Sequence, residues 1–389
     1  MGRCLLAVVV GLLCCAAPAH AAGDRYVALG DSYTSGPLIP NQHGDPIDCG
    51  RSDRNYPSLT APALGVSSFT DVSCGSAQTR DMTAPQTDLP AGGTNPPQFN
   101  ALRADTTLVT IGIGGNDAGL VGVAEECAQL GVTQPGGTAC RDRYAPGGND
   151  QVAAKIEAAK PKIAAVLQGI HTRSPKARVA IVGYPDVLPK SGNCYPMVPL
   201  SPDDVRYIDD LIIRINTMIA AQAKANDAEF VDTYDDSIGH DVCKLLPQRW
   251  FEGLVPTEPA FPLHPNAQGE ASMGRSVIAA LRKPRPVTQT RGRLLVGATI
   301  GMRRARTGRP FRVRVRVKGV GLRDARVALR TTRGKRVGLS RAFGLAGKRK
   351  TVRVKVKRRL RSGRYRLVAV GRTTTGRRVE GSRRLRLKR

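Results

Sequence analysis

The order of apolar runs along the first 283 of the 389 residues constrains the fold more than any other feature of the sequence. Short runs rich in β-branched and apolar residues predict strands at residues 26–29, 68–73, 107–113, 178–183 and 229–232. Helical patterns lie between the last three runs and after the fifth, at residues 152–171, 203–224 and 266–281. Strands that alternate with helices form a parallel sheet with helices on both faces, so we expect an α/β fold.

Two long segments of this region, residues 34–67 and 120–148, are rich in glycine and proline. They are predicted to be loops, and each contains cysteines that would restrain it.

Charge divides the chain into two parts. Residues 284–389 contain 37 Lys and Arg against two acidic residues, whereas residues 1–283 contain 23 basic and 29 acidic residues. This partition predicts a body over residues 22–283 followed by a separate, strongly basic domain over residues 284–389.

Within the basic region, valine and arginine alternate at a period of two, most regularly at residues 311–318 and 351–357 and more briefly at 365–370 and 385–387. Such alternation indicates half-buried strands with valine on one face and charge on the other. We expect a small all-β domain, an immunoglobulin-like sandwich in its spacing. A disordered tail is the alternative, and the regular alternation argues against it.

The N-terminal segment has the layout of a signal peptide. A positive charge precedes the fourteen uncharged residues 4–17, and Ala-His-Ala ends the segment. We therefore expect a signal peptide over residues 1–21 and a secreted, extracellular protein. A retained membrane anchor would need about 20 apolar residues, and lipid attachment at Cys14 or Cys15 is a further alternative, although the residues before them match a lipobox poorly.

Removal of that leader would leave six cysteines, an even number that implies disulfides in an exported protein. Six cysteines permit about 15 pairings. No Cys-x2-Cys spacing is present, and no Gly-rich phosphate loop with lysine occurs, so we expect no metal site and no cofactor.

The sequence Gly-Asp-Ser-Tyr at residues 30–33 places a serine hydroxyl where the first predicted strand ends. Open α/β sheets build their sites at this edge. Alone, Asp-Ser after a strand is equally consistent with a helix N-cap or a turn. Three further segments follow in order: Ser-Cys-Gly-Ser-Ala at 73–77, Gly-Ile-Gly-Gly-Asn-Asp at 112–117 and Phe-Pro-Leu-His-Pro-Asn at 261–266.

Together these four segments resemble the conserved blocks of the SGNH (GDSL-type) hydrolases, in particular the secreted actinobacterial lipases and esterases. The likeness runs from about residue 26 to about residue 281 and does not include the basic region. It implies a three-layer α/β/α, flavodoxin-like fold with a parallel sheet. It also implies sequential disulfides, Cys49 with Cys74, Cys127 with Cys140, and Cys194 with Cys243.

The resemblance implies a role for each block in ester hydrolysis, which needs an activated hydroxyl, a base and donors aimed at the developing oxyanion. Ser32 would be the nucleophile and His264 the general base. The oxyanion would accept hydrogen bonds from the backbone N–H of Ser32, the side-chain amide of Asn116, and a backbone N–H at Gly75 or Ser76. The family usually has glycine where this chain has Ser76.

A second departure concerns the group that orients the histidine. Many members of the superfamily have an aspartate three residues before it, where this chain has Phe261. The closest relatives imply that the backbone carbonyl of Phe261 takes this role in a Ser-His dyad. The carboxylates of Glu258 and Asp241 remain alternatives.

We therefore expect a monomeric serine carboxylic ester hydrolase, a lipase or esterase that acts on acyl esters of small molecules or lipids. A deacetylase of cell-wall glycans and a non-catalytic protein that binds anionic surfaces are the alternatives. The basic domain would tether the protein to an anionic cell-wall polymer or an acidic lipid surface, or would only keep it soluble. Acyl chain length cannot be predicted, because the pocket is formed by loops.

Overall fold

The structure is a computed structural model that describes residues 23–283, 293–300, 302–318, 322–345, 349–357, 359–373 and 378–387. The predicted signal peptide lies outside the described residues, as do residues 284–292 at the predicted start of the basic domain. In the described part of the chain, no helix is both long enough and apolar enough to cross a membrane.

The N-terminal part is built on a five-stranded parallel sheet, as the sequence predicts. Its strands are β1 (Arg25–Gly30), β4 (Ser68–Asp71), β5 (Leu108–Gly112), β6 (Arg178–Val182) and β7 (Glu229–Val231), with the short pair β2 (Gln42–His43) and β3 (Arg51–Ser52) outside it. The spatial order is β4-β1-β5-β6-β7. This is the flavodoxin-like order, in which the chain reverses direction beside β1 and places the site there.

Helices cover both faces of this sheet. They are α1 (Ser32–Ser35), α2 (Tyr56–Leu64), α3 (Gly115–Ala118), α4 (Leu120–Thr133), α5 (Ala139–Tyr144), α6 (Gln151–Arg173), α7 (Pro202–Ala225) and α8 (Ala267–Arg282). Alternate residues of β1 point to opposite faces: Val27 and Leu29 pack in the core that includes α6 and α7, whereas Tyr26 and Ala28 pack in the core that includes α2 and α8. The three-layer α/β/α prediction is confirmed.

The prediction that residues 34–67 and 120–148 form loops is wrong, because α2 lies in the first segment and α4 and α5 lie in the second. These helices form despite their glycine and proline content, and Pro62 even lies inside α2. Pro57 lies in the first turn of α2, where its missing N–H costs nothing. Gly131 of α4 faces Pro199, and a Cβ atom there would lie 1.6 Å from the Pro199 carbonyl oxygen.

Three disulfides hold the connections of this part. They join Cys49 to Cys74, Cys127 to Cys140, and Cys194 to Cys243, over sequence separations of 25, 13 and 49 residues. In the chain-entropy model, closing loops of these lengths stabilises the fold by roughly 3 to 4 kcal/mol each.

The C-terminal part is all-β, as predicted. Its strands are β8 (Arg293–Ile300), β9 (Phe311–Lys318), β10 (Leu322–Thr331), β11 (Arg336–Ser340), β12 (Phe343–Leu345), β13 (Arg349–Val356), β14 (Gly363–Thr373) and β15 (Arg378–Leu387). They form one antiparallel sheet in the order β15-β14-β10-β11-β13-β9-β8, with β12 also beside β10. The first and last strands of this order lie against each other, so the sheet is a near-barrel and not two stacked sheets.

The alternation of the sequence sets the two faces of this sheet. On β9, Phe311, Val313 and Val315 are buried in the interior, whereas Arg312 and Arg314 between them are exposed. The apolar residues therefore fill the near-barrel and the arginines cover its outside.

Candidate active site

Ser32 lies at a sharp turn where β1 ends. It is the first residue of α1, and the Asp31 side chain caps this short helix by accepting a hydrogen bond of 3.0 Å from the Tyr33 N–H. Gly30 has a φ of 148°, and a Cβ atom there would lie 2.3 Å from the Thr34 hydroxyl. Because only glycine fits this turn, the Gly-Asp-Ser sequence is dictated by the backbone as well as by chemistry.

The structure brings Ser32 and His264 together from opposite ends of the N-terminal part. The Ser32 Oγ atom lies 2.7 Å from the His264 Nε2 atom, within hydrogen-bond distance. Both residues are buried, with exposed fractions of 7% and 2%. Tyr33 connects the two segments further, because its hydroxyl donates a 2.6 Å hydrogen bond to the Leu263 carbonyl and its ring lies against the imidazole.

The second imidazole nitrogen identifies the orienting group, and the Phe261 prediction is wrong. His264 Nδ1 lies 2.7 Å from the carbonyl oxygen of Pro262. The Phe261 carbonyl instead accepts a 3.1 Å hydrogen bond from the His264 backbone N–H, which closes a tight turn. That turn requires a φ of 60° at Leu263. It places the imidazole of His264 beside the carbonyl of Pro262 and not beside that of Phe261.

The two alternative carboxylates make other contacts. Asp241 accepts a 2.9 Å hydrogen bond from the Cys243 N–H and lies 3.5 Å from the Lys244 ammonium. The backbone N–H of Glu258 donates to Glu252, 3.3 Å away. Among the described residues, neither carboxylate has a contact with His264.

Glu252, which the sequence did not single out, holds the histidine loop in place. Its carboxylate accepts hydrogen bonds of 2.9 Å from the Thr257 N–H and from the side-chain amide of Asn266, the N-cap of α8. Its backbone N–H donates to the His264 carbonyl at 3.0 Å. Burial opposes ionisation, but these hydrogen bonds outweigh it and lower the pKa of Glu252. Nothing in the local sequence pattern distinguishes this glutamate from an exposed one.

Burial sets the protonation state of the histidine. It lowers the pKa of His264 to about 4, and the hydrogen bond to the Pro262 carbonyl offsets only part of the effect. At neutral pH the imidazole is therefore uncharged, and Nε2 can accept the Ser32 proton when Nδ1 carries the hydrogen.

The predicted oxyanion donors differ in whether their N–H groups are free to bind an oxyanion. The Ser32 N–H is the first of its helix and has no intrahelical acceptor. The Asn116 amide donates to the Ala77 carbonyl at 3.0 Å through one hydrogen, which leaves its second hydrogen for another acceptor. Gly75 is excluded from the predicted pair because its N–H donates to the Cys49 carbonyl at 2.9 Å. Ser76 is the remaining candidate on that turn, and its φ of 61° explains why glycine is usual there.

An apolar pocket opens beside Ser32 and Asn116. Aliphatic side chains from α4, from α7 and from the connection that joins β6 to α7 make up most of its lining: Leu120, Val121, Ala124, Ala128, Val187, Leu188, Val198, Leu200, Ile208 and Ile212. Its polar lining residues lie near Ser32. The Tyr184 hydroxyl donates a 2.5 Å hydrogen bond to Asp31 and accepts one of 2.7 Å from the Gly115 N–H. Burial raises the pKa of Asp31 to about 7.

Comparison with known proteins identifies the family. The model of the GDSL-like Lipase/Acylhydrolase family matches residues 28–271. Lipase 2 of Streptomyces coelicolor is 36% identical over 271 residues, which cover 68% of this chain and 89% of that protein. A lipase of Streptomyces rimosus is 31% identical over 248 residues, 63% of this chain and 82% of that protein.

Two solved structures have the same fold. The crystal structure of phospholipase A1 from Streptomyces albidoflavus NA297 superimposes with a TM-score of 0.54 at 27% identity and covers 66% of this chain and 98% of that one. The extracellular lipase of Streptomyces rimosus gives a TM-score of 0.54 at 28% identity, with the same coverage. The chain therefore belongs to the GDSL-like lipase/acylhydrolase family and is an SGNH serine ester hydrolase of the lipase and esterase type.

Proposed function

We propose that this hydrolase cleaves acyl esters through an acyl-enzyme intermediate on Ser32, with His264 as general base. The single observation that carries this mechanism is the 2.7 Å separation of Ser32 Oγ from His264 Nε2. The neutral imidazole and its orientation by the Pro262 carbonyl support the assignment.

In this mechanism Ser32 Oγ attacks the ester carbonyl while its proton passes to His264 Nε2. Negative charge develops on the carbonyl oxygen and is stabilised by hydrogen bonds from the Ser32 N–H, the Ser76 N–H and the Asn116 amide. The imidazolium then protonates the leaving alkoxide, and the acyl group remains on Ser32. A water molecule, deprotonated by His264, attacks the acyl-enzyme and releases the acid.

Matched serine variants test the mechanism. Ser32→Ala should lower kcat by about 10⁶-fold, the cost of removing the nucleophile from a serine hydrolase, and should abolish labelling by a fluorophosphonate. Ser35→Ala is the control, because Ser35 lies on the same short helix and its hydroxyl has no hydrogen-bond partner among the described residues. If Ser32→Ala keeps a few per cent of the wild-type rate, Ser32 is not the nucleophile.

We further propose that the acyl group occupies the apolar pocket and that it is longer than acetyl. A pocket lined mainly by aliphatic side chains stabilises an alkyl chain by about 0.8 kcal/mol per buried CH₂ group, whereas an acetyl group would leave most of it unfilled. The lining therefore favours a lipase or esterase over a deacetylase of cell-wall glycans.

A larger side chain inside the pocket should change the preferred length of the acyl chain. Ala124 on α4 lines the pocket, and Ala124→Phe should shorten the preferred chain in a series of p-nitrophenyl esters from two to sixteen carbons. Val132→Phe is the control on the same helix, because Val132 is 61% exposed and does not line the pocket. A wild-type protein that prefers acetylated glycans to all longer acyl esters would instead support the deacetylase.

Extracellular action is part of the proposal. Three disulfides form and persist in oxidising environments, and the N-terminal sequence has the layout of a signal peptide. Expression of the full chain in a bacterial host should yield a mature protein outside the cytoplasm that begins after residue 21, as N-terminal sequencing would show.

A further inference from the structure

The outer face of the C-terminal sheet carries a groove that the hydrolase chemistry does not use. It crosses β10, β14 and β15, and we call it the arginine groove. Five arginines line it: Arg330, Arg364, Arg366, Arg384 and Arg386. Glu380 is the one acidic residue in the lining, which also includes Thr331, Thr332, Gly334, Tyr365, Val368, Val370 and Leu385.

Strand register places these arginines directly opposite one another. Arg364 on β14 pairs with Arg386 on β15, and Arg366 pairs with Arg384. Arg366 also pairs with Arg330 on the other side. Neighbouring strands lie about 4.8 Å apart, so Arg330, Arg366 and Arg384 stand side by side across the sheet. The Arg330 guanidinium donates one hydrogen bond of 2.9 Å to the Gly334 carbonyl, and that of Arg366 donates one of 2.8 Å to the Ser382 hydroxyl, which leaves the other N–H donors of each for an anion.

Such an arrangement is unfavourable without a counter-charge, because like charges directly opposite on neighbouring strands repel. The domain supplies almost no negative charge, because residues 284–389 contain 37 basic residues and only two acidic ones, Asp324 and Glu380. All five arginines are exposed. An anion from outside the domain would relieve the repulsion and gain several charge-assisted hydrogen bonds at once.

We propose that the arginine groove binds a linear phosphodiester polymer through its phosphates. Arginine presents a planar fork of donors that matches two phosphate oxygens, and a row of such forks suits regularly repeated phosphates. A groove that runs over three strands accommodates an extended chain better than a single compact anion.

The remaining side chains indicate that the backbone of the polymer is recognised and not its bases. Residues 284–389 contain three aromatic residues, Phe311, Phe343 and Tyr365. Phe311 is buried, and Lys350 lies over the half-buried ring of Phe343. Tyr365 belongs to the lining of the groove, but it is only 9% exposed and its hydroxyl donates a 2.8 Å hydrogen bond to the Arg361 carbonyl. Proteins that bind single-stranded nucleic acids stack bases on exposed aromatic rings. The described part of the domain offers no exposed ring on which a base could stack, and we infer that the partner is a base-free polymer, poly(glycerol phosphate).

A membrane surface fits the domain less well. Peripheral membrane proteins insert exposed apolar side chains below the headgroups. Among the residues whose burial the structure describes, the exposed large apolar residues lie between Leu38 and Phe261, in the N-terminal part. The apolar residues Val368, Val370 and Leu385 in the groove are buried or half-buried, so they do not project as an anchor.

Binding of the full-length protein to fluorescent poly(glycerol phosphate) tests the proposal. For five phosphate contacts, one for each arginine of the groove, affinity should fall by about 10² to 10³ between 50 and 200 mM salt. A groove variant, Arg364→Gln, Arg366→Gln, Arg384→Gln and Arg386→Gln combined, should bind at least about 10-fold more weakly at low salt, with a salt slope reduced by about 3.

A charge-matched variant is the control. Arg312→Gln, Arg314→Gln, Arg316→Gln and Arg353→Gln remove the same charge from exposed positions on β9 and β13, outside the groove. This variant should bind within about threefold of the wild type. Equal losses in the two variants would mean that diffuse charge does the binding, and the groove proposal would be wrong.

Two further probes distinguish the partner. At equal phosphate concentration, poly(glycerol phosphate) should bind at least as tightly as a thymidine oligonucleotide of the same length and more tightly than phosphatidylglycerol vesicles. Tighter binding of either alternative would overturn the assignment of a base-free polymer. Binding is measured without an ester substrate, so the result is independent of the proposed hydrolase mechanism.

Discussion

The Nδ1 atom of His264 lies 2.7 Å from the carbonyl oxygen of Pro262. This carbonyl belongs to the main chain, so no substitution of the Pro262 side chain removes it. In serine hydrolases with a carboxylate in this place, the carboxylate holds the tautomer and stabilises the imidazolium. Here a carbonyl can hold the tautomer but contributes no full negative charge. We therefore expect Ser32 and His264 to act as a dyad, with the pKa of the base set mainly by burial.

The dyad predicts that the nearby carboxylates are dispensable. Glu258→Gln and Asp241→Asn should each leave kcat within about tenfold of the wild type, because neither side chain contacts His264. Steady-state kinetics on a soluble ester would test this. A loss of about 10⁴-fold in either variant would identify that residue as a third catalytic member.

The oxyanion assignment predicts that Asn116→Ala lowers kcat by about 10² to 10³, equivalent to about 2.7–4 kcal/mol of transition-state stabilisation. KM should change little, because the hydrogen bond is made mainly in the transition state. The variant also loses the hydrogen bond to the Ala77 carbonyl, so thermal unfolding should be measured in parallel. A change in KM alone would exclude the oxyanion role.

The low pKa of His264 predicts activity well into the acidic range. The base must be neutral, so kcat/KM should be flat above its pKa of about 4 and should fall tenfold per pH unit below it. A pH series with circular dichroism as a check on folding would measure the midpoint. The Asp31 carboxyl has a pKa of about 7, so a step near pH 7 that disappears in Asp31→Asn is assigned to Asp31 and not to His264. A midpoint near 6.5 that persists in Asp31→Asn would contradict the prediction for His264.

The buried carboxyl of Glu270 should make the stability of the folded protein depend on pH. Its side chain is fully buried, one oxygen accepts a 2.8 Å hydrogen bond from the Tyr56 N–H, and the other has no partner among the described residues. Burial raises its pKa well above the usual value. Its contribution to stability is therefore complete below the unfolded pKa of 4.5 and is lost as the pH rises towards the folded value.

Glu270→Gln removes this titration and keeps an oxygen that can accept the hydrogen bond from Tyr56. The variant should gain stability relative to the wild type between pH 5 and pH 8, and each kcal/mol would raise Tm by about 2–4 °C. Glu157→Gln, on an exposed face of α6, should show no such trend. A constant difference in Tm across this range would show that Glu270 does not titrate on unfolding.

The sequence by itself determined the order and class of the elements. The period of the apolar residues predicted all five strands of the parallel sheet and its three longest helices to within two residues. The Val-Arg alternation predicted the outward arginines of the C-terminal sheet. The four ordered segments identified Ser32, Asn116 and His264 as candidate site residues. The strand, helix and alternation predictions are local, because they depend on the spacing of side chains along one segment, whereas the site residues followed from the resemblance of four ordered segments to the SGNH hydrolases.

Only the tertiary structure decided which atoms meet. The path of one turn gives His264 the carbonyl of Pro262 instead of that of Phe261, and a contact with Cys49 removes the N–H of Gly75 from the oxyanion candidates. The apolar pocket and the closed near-barrel likewise depend on segments far apart in sequence. Hydrogen-bond partners and pocket walls depend on where distant segments lie in the fold. The periodicity of a single segment contains no information about those positions.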